Sequence, residues 1–222
     1  MKTKRLFRFY RRIVALFMRK YRTEWDVPYD GSPAVFCPNH ERGSGPVIMS
    51  CLFELWDNTQ TWYSAVTVDR KALPNYVRID HWWDHNSKLH WLYNITVPYL
   101  AALVLPHIMK TIPGIPVYYD KEVTRTFKLS TEALGRGENV TIFAQEVNGY
   151  KSHAKQLRKG FLLIAPLAWK RCGIRLKFYP VHISKKEHLI RVLAPVEYDP
   201  DIPFQQQEDA LAEKIGAGVW DE

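Results

Sequence analysis

An apolar run that stops on an Asn-His pair and restarts, across a glycine-broken turn, on a proline constrains this chain more than any other stretch. Ala34–Pro38 reads as a strand, with Asn39 and His40 at its end. Glu41, Arg42, Gly43, Ser44 and Gly45 make the turn. Pro46 suits the first turn of a helix reaching about Trp56, and Ser44 is placed to cap it. A histidine at such a junction is presented in a cleft, beside the unpaired N–H groups of a helix N-terminus. That setting suits a general base working next to developing negative charge.

The rest of the chain alternates between the two regular structures. Thr61–Val68, Pro116–Tyr119, Asn139–Gln145, Ile174–Ile183 and Leu189–Tyr198 read as strands. Glu122–Leu134, closed by Gly135-Arg136-Gly137, reads as a helix, as do Gly160–Lys170 ahead of Gly173 and Gln205–Ile215. The alternation predicts an α/β fold: a single layered domain over residues 25–222, with a central mixed sheet flanked by helices. Residues 1–24 form a separate amphipathic helix in this reading. A chain of 222 residues is long enough for one such core and gives no reason to expect two.

Charge is concentrated at the start. Nine of the 31 Lys and Arg residues fall within positions 1–22, where there is no acid, leaving 22 basic against 23 acidic residues elsewhere. The domain surface is therefore not basic, which argues against nucleic acid as a partner. On a helical wheel over residues 4–22, Leu6, Phe7, Phe9, Tyr10, Ile13, Val14, Leu16, Phe17, Met18 and Tyr21 share one side. Lys4, Arg5, Arg8, Arg11, Arg12, Arg19 and Arg22 share the other. An apolar arc opposed by an acid-free cationic arc fits an anionic membrane surface, where each basic residue adds about 1 kcal/mol. A helix packed on the domain is the plainer alternative. Leu89–Met109 carries no charged side chain and is long enough to span a bilayer. Pro98, Pro106, His90, Asn94 and His107 instead predict a kinked apolar helix pair, buried or dipped into one leaflet.

Three cysteines without disulfide-like spacing fit a reducing compartment. Cys37 reads as a small buried hydrophobe rather than a nucleophile paired with His40. Asp80, His81, Asp84, His85 and His90 cluster, but no third ligand is fixed by spacing, so no metal is assigned.

Four blocks in order carry a resemblance. Asn39-His40 is followed by a glycine-rich turn. Thr111-Ile112-Pro113-Gly114-Ile115-Pro116-Val117-Tyr118-Tyr119-Asp120 supplies a glycine and a short strand. Val140-Thr141-Ile142-Phe143-Ala144-Gln145-Glu146-Val147-Asn148-Gly149 is a strand ending in an acid and a glycine. Lys159-Gly160 precedes an apolar helix, and Tyr179-Pro180-Val181 lies in the next strand. From Ala34 to Tyr198 the chain resembles the glycerolipid acyltransferase family, PlsC-like, whose first motif reads Asn-His, four residues, Asp. Gly45 stands where that Asp is expected, and Asp120 where an arginine is expected.

The resemblance implies transfer of a fatty acyl group from an acyl-carrier-protein or coenzyme A thioester to a lysoglycerolipid hydroxyl, without a cofactor. It implies His40 as general base and Glu146 as the substitute acid, which makes these the catalytic candidates. Asn39, Glu41, Arg42, Gly43, Ser44 and Gly45 are implied to line the substrate, with Lys121 and Arg125 binding the acceptor phosphate. Location follows from the first helix: the cytoplasmic face of a membrane, held peripherally or monotopically. The missing acid leaves a rival, a catalytically impaired relative that binds lipid or a membrane partner.

Overall fold

The computed structural model describes residues 5–40, 44–79, 83, 86–147 and 153–220. Among the described residues, ten strands follow the first helix: β1 (Arg22–Trp25), β2 (Ala34–Pro38), β3 (Thr59–Ser64), β4 (Gly114–Val117), β5 (Asn139–Thr141), β6 (Gln145–Val147), β7 (His153–Leu157), β8 (Lys177–Ser184), β9 (Leu189–Val192) and β10 (Val196–Glu197). The α-helices are α1 (Arg5–Phe17), α2 (Gly45–Cys51), α3 (Leu73–Ile79), α4 (His90–Met109), α5 (Val123–Gly135), α6 (Ile164–Cys172) and α7 (Phe204–Trp220).

The main sheet runs β1-β9-β8-β2-β5-β3-β4, with β10 paired to β8. β8, β2, β5, β3 and β4 are parallel, while β9 and β10 run antiparallel to β8. The sheet is mixed and flanked by helices, as expected of an α/β domain. β6 and β7 form a separate antiparallel pair.

β2 is central because it has no polar face. All five of its residues are buried, and successive side chains enter opposite layers. Val35 and Cys37 join the core under α5, α6 and α7, with Leu134, Ala165 and Ile215. Ala34 and Phe36 join the other, with Ile48 and Met49 of α2 and Tyr179 and Val181 of β8. Burying side chains of this size contributes about 1.5–3 kcal/mol each, so the apolar run fixes β2 as the axis of the fold. Gly173 ends α6 in the left-handed region at φ 65°, which a glycine adopts without the Cβ penalty.

Several boundaries differ from the sequence reading. The amphipathic segment stops being helical at Phe17, and Arg22–Trp25 instead pairs in parallel with β9. α2 ends at Cys51 rather than Trp56, and the segment at Gly160 begins as a 3-10 turn before α6. Leu89–Met109 does not form a helix pair. It is one helix through Pro98 and Pro106, both of which are buried. α4 packs on α3 and shares a small core with Leu73 and Val77, through Val97, Ala101 and Leu105. By length and composition α4 could cross a membrane, and little of it is buried in the protein.

Candidate active site around His40

His40 stands one residue beyond Asn39 at the C-terminal end of β2, where ligands commonly lie in open α/β sheets. Asn39 fixes its height. The Asn39 backbone N–H donates to the Val181 carbonyl at 3.1 Å, continuing the β2–β8 ladder. Its side chain then acts as one more peptide: Nδ2 donates to the Ile183 carbonyl at 3.1 Å, and the Ile183 N–H donates to Oδ1 at 2.7 Å. Both amide atoms are therefore committed to β8.

The His40 backbone N–H donates to Gln145 Oε1 at 2.8 Å, and Gln145 is itself buried. The His40 ring lies 5.0 Å from that of Phe143, tilted by 49°. Gln145 lies in the third block above, one residue before Glu146, and its place there is the signal that the sequence carries. Its role as an acceptor for His40 was not legible, because the two residues lie 105 positions apart.

Gly45 fills the position of the missing acid with backbone. A Cβ there would lie 2.7 Å from the His40 carbonyl oxygen, 3.1 Å from that of Asn39 and 3.0 Å from Phe143 Cε1. With this path of the chain, no side chain fits at residue 45. Ser44 occupies the N-cap position of α2 but makes no side-chain capping hydrogen bond, contrary to expectation. Glu41, Arg42 and Gly43 lie outside the described residues, as do Asp80, His81, Asp84 and His85. Glu146 follows Gln145 in β6, while its side chain lies outside the described residues.

Lys121 and Arg125 stand past the C-terminal end of β4, three strands from β2 and roughly 14 Å away by strand spacing. Arg125 lies over the Tyr118 ring at 4.7 Å and pairs loosely with Glu122 at 3.9 Å. Burial, with Tyr118 adding to it, pushes the Tyr63 hydroxyl above its ordinary value. The basic pair thus belongs to the same edge of the sheet as His40 without adjoining it. Burial also pushes the Cys37 thiol well up, so it stays protonated and packs as a hydrophobe. Among the described residues no group of three His, Cys, Asp or Glu side chains could hold a metal ion.

Exposed apolar surface lies on α1 and α4. α1 seats Phe7, which is buried, near Trp56 with ring centroids 6.2 Å apart, and Arg11 covers the Trp56 ring at 4.1 Å. This seam leaves two other faces of α1 in solvent. One carries Leu6, Phe9, Ile13, Leu16 and Phe17; the other carries Arg5, Arg8 and Arg12. Leu16 and Phe17 are 81% and 87% exposed, which a helix whose apolar arc packed on the domain would not show. α4 likewise exposes Trp91, Ile95, Tyr99, Leu100, Leu103 and Val104.

No family model matches the chain, and no curated protein sequence does. Among solved structures, the 1-acyl-sn-glycerophosphate (LPA) acyltransferase PlsC from Thermotoga maritima is similar at a TM-score of 0.48 and 12% identity, over 98% of this chain and 80% of that one. The likeness is remote, and the α/β fold and the His40 site rest on the chain's own geometry.

Proposed function

We propose that this chain is a membrane-associated O-acyltransferase of lipid metabolism, with His40 as general base. The observation that carries the reading is the double fixing of the Asn39-His40 pair, by Ile183 through the Asn39 amide and by Gln145 through the His40 N–H. Those bonds fix the position of His40 through its backbone and through the neighbouring side chain. In the proposed reaction a lysolipid hydroxyl gives its proton to the His40 ring as its oxygen attacks the thioester carbonyl. The tetrahedral centre then collapses, the C–S bond breaks, and the proton passes to the departing thiolate of coenzyme A or the carrier protein.

Glu146 is the proposed partner that orients the imidazole, and Lys121 and Arg125 are the proposed phosphate ligands at the far end of the acceptor. The exposed apolar and cationic faces of α1 support attachment to an anionic cytoplasmic membrane surface, in a peripheral or monotopic manner. Gly45 supports a second reading, a protein that keeps the fold and binds lipid without turnover, because backbone fills the place from which an acid would steady the histidine.

A thioester-release assay against a panel of lysolipids separates the two. His40→Ala is expected to lower turnover by about 10²–10⁴-fold with an unchanged unfolding curve. Turnover retained in that variant rejects the base, and no turnover in the unaltered chain favours the binding reading.

A further inference from the structure

The exposed apolar faces of α1 and α4 meet at an open groove of about 320 Å³. Leu103, Val104 and Ile108 of α4 and Tyr10 of α1 supply apolar walls; Arg70 and His107 add two basic side chains. Among the described residues, neither the Arg70 guanidinium nor the His107 imidazole has an ion-pair or hydrogen-bond partner. The Tyr10 hydroxyl has none either; its ring contacts Phe9. Polar groups without partners around an apolar floor match an amphiphile with an acidic head.

We infer that this groove seats one acidic phospholipid drawn from the bound leaflet, a second lipid site apart from the His40 cleft. The inference rests on the membrane attachment proposed above. One acyl chain lies along Leu103, Val104 and Ile108, and the phosphodiester meets Arg70 and His107. Volume argues for a chain and against a helix, since about 320 Å³ is at the low end for a small ligand, whereas a helix with its side chains is about 10 Å across. Charge argues for an acidic head, because Arg70 and His107 are basic and the residues that line the groove include no carboxylate. The surrounding apolar surface of both helices makes the leaflet the source.

The test uses the full chain in neutral detergent micelles doped with phosphatidylglycerol or phosphatidylcholine, with bound lipid counted by native mass spectrometry. About one phosphatidylglycerol per chain is expected, in preference to phosphatidylcholine. The double variant Arg70→Gln/His107→Gln should lower that occupancy by about tenfold, equivalent to about 1.4 kcal/mol. Val104→Trp, which fills the groove from an exposed position, should lower it as well. Both variants should unfold as the unaltered chain does, since these side chains are outside the core.

Equal occupancy in the double variant overturns the inference, as does equal binding of phosphatidylcholine. Displacement of the lipid by millimolar inorganic phosphate also overturns it, by making the groove an anion site. Thioester turnover is read separately, so an inactive His40 site with a filled groove rejects the acyltransferase reading alone.

Discussion

β2 and α4 are both runs of apolar residues, and the protein treats them in opposite ways. β2 buries every side chain between two layers, whereas α4 spends one face on α3 and turns the other outward. Hydrophobicity alone therefore does not say where a segment goes. β2 is an element whose neighbours cover it from both sides. α4 is covered on one side, by α3 and the turn Ala65–Val68, and its remaining apolar surface is exposed. α1 repeats the second pattern, with a narrow seam on the protein and two exposed faces of opposite character.

The contrast is broken most directly at Phe36. Phe36→Ala should cost about 3–5 kcal/mol of folding stability, read by denaturant unfolding, because it opens a cavity between β2 and α2. Leu100→Ala, on the exposed face of α4, should stay within about 0.5 kcal/mol. Comparable losses would mean that α4 is covered after all.

The exposed half of the comparison, and the membrane attachment proposed for it, is sharpened by Phe17→Glu. Removing an apolar side chain from the exposed arc of α1 should weaken binding to anionic vesicles by about 2 kcal/mol, while unfolding is unchanged. Raising the salt should weaken the unaltered chain too, by screening the arginines. Vesicle binding that ignores both changes would assign α1 a packing role only. Deleting residues 1–22 is a blunter experiment, since it also uncovers the surface under Phe7.

A smaller effect is expected at the site. Gly45→Ala should cost about 1–3 kcal/mol in unfolding, because its Cβ meets two carbonyl oxygens and the Phe143 ring. Gly45→Asp should suffer the same clash and not raise turnover. A stable, more active Gly45→Asp protein would show that the turn can rearrange to admit an acid.

The smallest effect concerns the approach to β2. Asp30 accepts a hydrogen bond of 2.6 Å from Lys177 and others from Ser32, which hold its carboxyl well below the usual range. Its contribution is complete above about pH 4 and is lost as pH falls through the folded value. Lys177 is raised, chiefly by the same bond, so its share is present below about pH 10.4 and is lost as pH rises through its folded value. Both side chains are partly in solvent, where screening keeps such a pair within about 1 kcal/mol. Asp30→Asn should flatten the acid limb of a stability profile; an unchanged limb would remove the pair from the account.

What was legible in the sequence follows from how local each signal is. The strand Ala34–Pro38 is legible to the residue because five apolar positions in a row leave little choice. β1 was missed because Arg22-Thr23-Glu24-Trp25 presents a charged, half-exposed edge and gains its strand character from β9. The pair β6–β7 was missed because its residues are mostly polar, and α3 because seven residues are too few to show a period. The prolines of Leu89–Met109 predict a kinked helix pair, yet both are buried within one helix. At the site, His40 was legible from its neighbours in sequence. The bonds that place it were not, because Ile183 lies 144 positions from Asn39.

The clamp that Asn39 makes on Ile183 turns the sheet into a ruler. From Ile183 in β8 the hydrogen-bonded path crosses β9 to β1, which begins four residues after α1. His40 therefore stands three strand intervals inward from the strand that trails the first helix, roughly 14 Å, and Arg125 follows a further three intervals out along the same sheet. A molecule held by α1 would carry its histidine at a set stand-off, graduated in strand spacings rather than in loop lengths. If α1 holds the chain on a membrane as proposed, what reaches His40 from that surface would be selected by its span.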